Sequence, residues 1–345
     1  MKTHIKSLSL NELTNYALAN HQPAFRAKQL HEWIWKKQAL AFAEMTNMPQ
    51  DFRQSLETDY MITSLQITDE KVSADGTRKY ALALPDDCMI ESVLIPSQTR
   101  ITACISTQVG CALGCRFCAT GNMSIVRDLH FTEIHDQIIL MMKLASEKMG
   151  ATLHNIVVMG MGEPLLNLDN TLAALNKISD KALLNFSPQR ITISTAGIVP
   201  AIKKMADKNV PYHLAISLHS AIEQKRKQLM PIANKYPLLM LIDALKHYYA
   251  KTANRITIEY ILFEGLNDAP EDAAALANFC RNFPVKVNVI HYNPTANQGF
   301  KNSNQINTKK FVEFLESKNL VVNLRKSKGD DIQAACGQLV KNKKQ

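Results

Sequence analysis

The 345-residue chain has no apolar run near the ~20 residues that cross a bilayer, so the sequence predicts no membrane segment. Its opening residues, Met1-Lys-Thr-His-Ile-Lys-Ser7, lack the apolar stretch of a secretory leader. Low-complexity linkers and clear internal repeats are missing as well. Cysteine is sparse: there are seven, an odd number with three clustered, which is not the pattern of a secreted disulfide scaffold. Together these absences predict a cytoplasmic location. What remains, 46% hydrophobic and 21% charged, is a composition that buries a sizeable core, as one large domain with an accessory piece or as two ordinary domains.

The formal charge is +9, which favours a polyanionic partner, nucleic acid being the usual one. Basic groups stand at Lys36-Lys37, Arg325-Lys326-Ser327-Lys328 and the tail Lys341-Asn-Lys-Lys344. Each alone reads as solvated surface. Only their sum argues for RNA or DNA.

Residues 1 to about 60 read as helical, with Leu10, Leu13, Leu18, Phe25, Leu30, Ile34 and Trp35 near helical spacing and breaks at Pro23 and Pro49. Alternation from Leu65 to Leu84, with a turn at Ala74-Asp75-Gly76, predicts a hairpin. A third strand, Met89 to Ile95, ends at Pro96. This predicts a small α+β accessory domain over residues 1–96.

Over residues 97–345 the pattern becomes strand, loop, helix, repeated. Candidate strands cover 101–106, 155–159, 190–194, 213–217, 255–263 and 286–290, with a further extended run at 321–325. Helical periodicity fills 132–149, 168–179, 199–207, 238–249, 273–282 and 308–318. The fold class expected is α/β, a partial (βα)6 TIM-like barrel rather than a closed eight-unit one. Chemistry in such a barrel sits at the C-terminal ends of the strands.

The most informative stretch follows the first of those strands. Cys111, Cys115 and Cys118 supply three thiolates at C-x3-C-x2-C spacing from one loop. Structural zinc takes four ligands, usually in paired knuckles; there is no second cysteine pair, and His130 lies outside finger-like spacing. Four-iron clusters in electron transfer usually take four cysteines, so three leave one iron open to a substrate. The spacing resembles that of the radical S-adenosylmethionine (SAM) enzymes. The resemblance implies a [4Fe-4S] cluster that chelates SAM and injects one electron to release a 5′-deoxyadenosyl radical in a dry pocket. Phe117, between the second and third ligands, either shields the cluster or simply packs the loop.

Gly160-Met-Gly-Glu-Pro164 follows the second strand. Alone it reads as a turn; beside the cysteine triad, Gly162 and Glu163 resemble the loop that holds the SAM amino group. Ser194, Ser217, Leu218, His219 and Asn293 close later strands. Each could be a turn or cap, but their shared position favours a ligand-binding ring. Cys88 and Cys280 read as buried small hydrophobes. Cys336 differs, lying among small residues before Gly337, as an accessible thiol would, and a partner thiol could oxidise with it transiently.

Longer segments carry a more specific resemblance: Phe25-Arg-Ala-Lys-Gln29, Thr107-Gln-Val-Gly-Cys-Ala-Leu113, Gly160-Met-Gly-Glu-Pro-Leu-Leu-Asn167, Ile216-Ser-Leu-His219 and Asp330-Asp-Ile-Gln-Ala-Ala-Cys-Gly-Gln-Leu339. Over nearly its full length the chain resembles the dual-specificity RNA methyltransferases of the RlmN type, which methylate C2 of adenosine. The resemblance implies two SAM per turnover. One methylates Cys336; the other gives the radical that activates this S-methyl group for addition to adenine C2. It further implies that Cys104 releases the product through a transient Cys104–Cys336 disulfide and that Glu91 accepts the C2 proton. Adenine C2 is electron-poor and has no lone pair to attack a sulfonium carbon, so a radical route answers a real chemical obstacle.

The implied substrates are 23S rRNA, in the peptidyl-transferase centre, and tRNA, at the adenosine 3′ of the anticodon. Both offer bases that can leave the stack. A flavodoxin-type electron donor and a monomeric state are further expectations. The basic N-terminal region, with Trp33 and Trp35, reads as an RNA-docking module, although core packing explains those tryptophans equally well. Two alternatives remain at this stage. One is a C8-adenosine 23S rRNA methyltransferase of the antibiotic-resistance type, which shares the cluster and both cysteines. The other is a non-enzymatic RNA-binding protein with a structural metal.

Overall fold

The computed structural model describes residues 2–294 and 299–339; Met1 and the basic tail Lys341–Lys344 lie outside the described residues. Three helices occupy the first sixty residues: α1 (Leu10–Ala19), α2 (Phe25–Trp35) and α3 (Gln50–Asp59). Ser9 opens α1 with a capping box, its hydroxyl accepting from the Glu12 amide while the Glu12 carboxylate accepts from the Ser9 amide at 2.7 Å. Pro49 stands directly before α3, where a missing N–H costs the helix nothing. Leu13, Leu30, Ile34, Phe52, Leu56 and Ile62 bury together in a core of their own.

Trp35 is buried where this bundle meets the rest of the chain, edge-on to His135 with ring centroids 5.1 Å apart and the Lys177 ammonium 4.6 Å from its ring centroid. Core packing therefore accounts for Trp35. Trp33 is half-buried, with the Lys37 ammonium 4.0 Å from its ring centroid. On α4 (Phe131–Met149), the fully buried Asp136 carboxylate pairs with His4 and accepts from Lys6 and Ser64, tying both ends of the helical region to the barrel.

Ten strands then form one sheet whose spatial order is the chain order: β1 (Gln66–Val72), β2 (Arg78–Ala83), β3 (Met89–Pro96), β4 (Ile101–Cys104), β5 (Asn155–Val158), β6 (Ile191–Thr195), β7 (His213–Ser217), β8 (Ile256–Leu262), β9 (Val285–His291) and β10 (Val321–Arg325). Strands β1 to β4 run antiparallel and β4 to β10 parallel. The parallel crossovers carry α4, α5 (Leu168–Ser179), α6 (Val199–Asp207), α7 (Glu223–Leu229) with α8 (Leu238–Thr252), α9 (Pro270–Cys280) and α10 (Gln305–Ser317). Six βα units and a seventh parallel strand result, with β1 and β10 left as edges. This is the open, partial barrel expected.

Two features differ from the sequence expectation. The hydrophobic cores part between Ile62 and Leu65, not at residue 96. The reason is that β3 pairs with β4 through Val93–Cys104 and Leu94–Ala103, so the accessory strands continue the barrel sheet and share its core. A short hairpin is marginal alone and gains its stability from such a neighbour. The second feature is α7, a seven-residue, largely charged segment too short for its periodicity to register.

The strands alternate because their two faces meet different surroundings. Ile191, Ile193, Leu214, Ile216, Ile256, Ile258, Val287 and Val289 are fully buried on one face. The opposite face carries Ser194, Ser217, Glu259, Asn288 and Asn323. Ser194 Oγ lies 3.5 Å from Ser217 Oγ, Asn288 Nδ2 donates to Glu259 Oε1 at 2.9 Å, and Asn323 Nδ2 donates to Asn288 Oδ1 at 3.2 Å. The barrel interior is thus polar.

Candidate active site

Beyond β4 the chain forms a two-residue ladder, Gln108–Val109 against Arg127–Asp128, which closes the cysteine loop at its base. Gly110 opens the loop at φ +78°, and a Cβ there would stand 2.2 Å from the Ser124 carbonyl oxygen, so no other residue fits without rearrangement. The Cys118 amide donates to Cys115 O at 3.1 Å, and the Arg116 amide to Leu229 O at 3.0 Å, fixing the loop to the end of α7. Cys111, Cys115 and Cys118 come out half-buried and within electrostatic reach of one another. Burial pushes the Cys111 thiol up to about 11 and raises Cys115 and Cys118 as well. As thiolates they therefore need a metal to hold them.

The donor set fits an iron–sulfur cluster. Among the described residues no three His, Cys, Asp or Glu side chains converge as they must on a single ion, whereas a four-iron cluster takes each cysteine at a separate corner. Arg226 adds a second observation. Its guanidinium is buried near Cys115, donates to Ala196 O at 2.6 Å, leaves Nε without a partner and has no ion pair among the described residues. A buried cation of this kind calls for a compensating negative group, and a thiolate-ligated cluster supplies one.

Phe117 packs its ring edge-on against His219, centroids 4.6 Å apart, and lies 5.8 Å from Phe263. Phe117 therefore packs the loop and puts an apolar ring beside the three cysteines. His219 is fully enclosed at φ +55°; its Nδ1 accepts from the Ile261 amide at 3.1 Å, so the proton resides on Nε2. Burial, with Arg226 nearby, pushes its pKa down to about 3, and the ring is neutral throughout the physiological range. Leu218 and His219 donate their amides to Glu259 O.

The Gly160–Pro164 turn packs tightly on the strand that leads into the cysteine loop. A Cβ on Gly162, at φ +95°, would lie 2.4 Å from Gln108 Cβ. The close approach is therefore between this turn and the strand leading into the cysteine loop, sealed by Thr107 N to Met161 O at 2.9 Å and Glu163 N to Gln108 Oε1 at 2.8 Å. Glu163 is buried, and its carboxylate accepts from the Leu165 amide at 3.0 Å and the Ala196 amide at 2.8 Å, tying the β5 and β6 ends together. Burial raises its pKa against those bonds. A carboxylate has about four lone-pair sites, so acceptor capacity remains.

Cys336 arrives from the far end of the chain. The segment from Gly329 to Leu339 is pinned at several places. Gly329 N donates to Asp75 Oδ2 and Ala74 N to Asp331 Oδ2, both at 3.1 Å, at the β1–β2 turn. Ala119 N donates to Gly337 O at 2.7 Å on the cysteine loop. Asn293 Nδ2 donates to Cys336 O at 3.3 Å, and Gln338 Nε2 to Pro294 O at 3.2 Å, beyond β9. Cys336 itself stays open to solvent, while Cys104, at the end of β4, is buried within electrostatic reach of it. Burial raises the Cys104 thiol.

Glu91 on β3 is enclosed. Its carboxylate pairs with Lys79 Nζ at 3.1 Å, and its carbonyl accepts from Ser106 Oγ at 2.7 Å. Lys79, Arg226 and Glu259 escaped the sequence reading, having no motif around them. The inward register of β2 and β8 is the one signal that could have marked Lys79 and Glu259. All the residues expected from the sequence, Glu91, Cys104, the three loop cysteines, Gly162, Glu163, Ser194, Ser217, Leu218, His219, Asn293 and Cys336, belong to the ends of β3 to β9 or to the segments that cover them.

Known proteins with similar sequences and structures agree with this arrangement. The radical SAM superfamily matches residues 105–277, and the ribosomal RNA large subunit methyltransferase N-terminal domain matches residues 3–62, the span of the separate helical core. The chain is 44% identical to the probable dual-specificity RNA methyltransferase RlmN of Cytophaga hutchinsonii, over 98% of this chain and 93% of that protein. It is 41% identical to the dual-specificity RNA methyltransferase RlmN of Geotalea uraniireducens, over 98% and 96% respectively. Among solved structures, a radical SAM methyltransferase from Sphaerobacter thermophilus superposes with a TM-score of 0.92 at 37% identity, covering 98% of this chain and 99% of that one. With cysteine loop, barrel and relatives in agreement, the chain belongs to the RlmN family of dual-specificity RNA methyltransferases within the radical SAM superfamily.

Proposed function

We propose that this radical SAM RNA methyltransferase methylates C2 of adenosine in 23S rRNA and in tRNA, with Cys336 as methyl carrier and Cys104 as the releasing thiol. One observation carries the reading: an exposed Cys336 whose flanks are bonded to the cysteine loop and which interacts electrostatically with buried Cys104. A structural cysteine has no need of such a setting.

When bound, the [4Fe-4S] cluster on Cys111, Cys115 and Cys118, with SAM, supplies the methyl group and the one-electron chemistry. The chain supplies the rest. Gly162, Glu163, Ser194, Ser217, Leu218, His219 and Asn293 form the SAM wall, and the neutral His219 ring with Phe117 keeps water from it. Once radical addition has joined adenine C2 to Cys336 Sγ through a methylene, Glu91 takes the C2 proton and one electron leaves the adduct, for which the cluster would be the acceptor, so that the ring is closed-shell again. The Cys104 thiolate then attacks that sulfur. A Cys104–Cys336 bond forms as the carbon–sulfur bond breaks, the electron pair stays on the methylene carbon, and a proton completes the methyl group.

Within the N-terminal region of residues 1–96 the helical part serves RNA docking, while its strands extend the barrel sheet and bring Glu91 to the catalytic region of residues 97–345; the half-buried Trp33 and its Lys37 cap are the best surface candidates for a stacked base. The electron donor is of flavodoxin type, and the enzyme works as a cytoplasmic monomer. Nucleoside mass spectrometry of 23S rRNA and tRNA from a deletion strain tests the assignment. Loss of 2-methyladenosine from both RNAs is expected. Its persistence, or loss of 8-methyladenosine instead, overturns the C2 reading.

A further inference from the structure

Lys79 stands on the inward face of β2, opposite Val93, which on its other side pairs with Cys104; Glu91 is two residues along the same face of β3. Lys79 is 6% exposed, and its ammonium makes two contacts. It pairs with Glu91 Oε1 at 3.1 Å, and it donates to the Gln333 carbonyl at 3.0 Å, three residues before Cys336. A single buried side chain therefore touches both the carboxylate that reads as the proton acceptor and the backbone that carries the methyl-bearing thiol. Few lysines are this enclosed without a task, and the Glu91 charge alone does not explain the second bond. The same stretch of hairpin also holds the Cys336 segment through Asp75 and Asp331.

We propose that Lys79 is a positioning residue that sets Glu91 and the Cys336 segment in register for proton removal from C2. The inference rests on the reading of Glu91 as proton acceptor. The ion pair fixes the orientation of the carboxylate, and the bond to Gln333 sets how far the thiol-bearing segment stands from it. The proton passes from adenine C2 to the Glu91 carboxylate, and Lys79 acts by position alone.

The test compares cluster-reconstituted wild-type enzyme with Lys79→Met, Lys79→Arg and Glu91→Gln, incubated anaerobically with SAM, a chemical reductant and an rRNA fragment. Denaturing gels read the covalent RNA–protein species, and nucleoside analysis reads 2-methyladenosine. For Lys79→Met, product formation drops about tenfold or more, on the scale of weakening a general base, and the covalent species accumulates. Lys79→Arg, which keeps charge and donors, restores most of the turnover. Iron content and SAM cleavage without RNA stay at wild-type levels in both. Wild-type product formation by Lys79→Met overturns the proposal, as does a loss of product with no covalent species that Arg fails to rescue. Normal turnover by Glu91→Gln overturns the proton-acceptor reading itself, a result distinguishable from either.

Discussion

The amide of Ala119 donates to the carbonyl of Gly337 at 2.7 Å. Each residue directly follows a functional cysteine, Cys118 in one segment and Cys336 in the other. The bond therefore makes the cysteine loop and the C-terminal segment one unit, and the side chain of Thr120 reinforces it by donating to Leu339 O. Cys336 and Cys118 are thus brought together through the backbone, although more than 200 residues separate them in sequence.

Removing either catalytic thiol separates their roles. Cys104→Ala traps a covalent RNA–protein species and abolishes release, because no thiol remains to displace Cys336. Cys336→Ala abolishes methylation and forms no such species, yet retains its full iron complement. Denaturing gels and iron analysis check both. Free turnover by the first variant, or iron loss in the second, contradicts the assignment.

Gly110→Ala destabilises the cysteine loop. Left-handed strain costs about 1–3 kcal/mol, and the added methyl meets the Ser124 carbonyl at 2.2 Å. Iron incorporation on reconstitution falls well below wild type. Gly150→Ala, where nothing lies within 4 Å of the added carbon, leaves it unchanged and serves as control. Equal iron content in the two variants removes the steric argument.

Asp136 makes the stability of the helical region depend on pH. Burial opposes its ionisation, but Lys6, His135 and His4 win and hold its pKa well below the ordinary value. A carboxyl lowered by folding contributes stability above its unfolded pKa of about 3.9, and that contribution disappears as pH falls through the folded value. Asp136→Ala costs about 3–5 kcal/mol at neutral pH, since buried Lys6 loses its partner. The gap between variant and wild type in urea unfolding narrows as pH drops below about 4. A constant gap over that range rules out the linkage.

Much of this protein was legible from neighbouring residues. Strand alternation and helical spacing recovered all the parallel strands and every crossover helix but α7, because periods of two and 3.6 residues are set by local geometry and by which face meets the core. The C-x3-C-x2-C spacing specified a metal-binding loop for the same reason, its ligands sharing one short piece of backbone. Tertiary structure alone decided the rest. That the first three strands belong to the barrel sheet, that Gly162 makes room for Gln108 and that Lys79 bridges Glu91 to Gln333 are tertiary contacts, the last of them joining residues 254 positions apart. No local period encodes such pairs; they exist once burial and hydrogen-bond satisfaction have brought the strand ends and the C-terminal segment to one face.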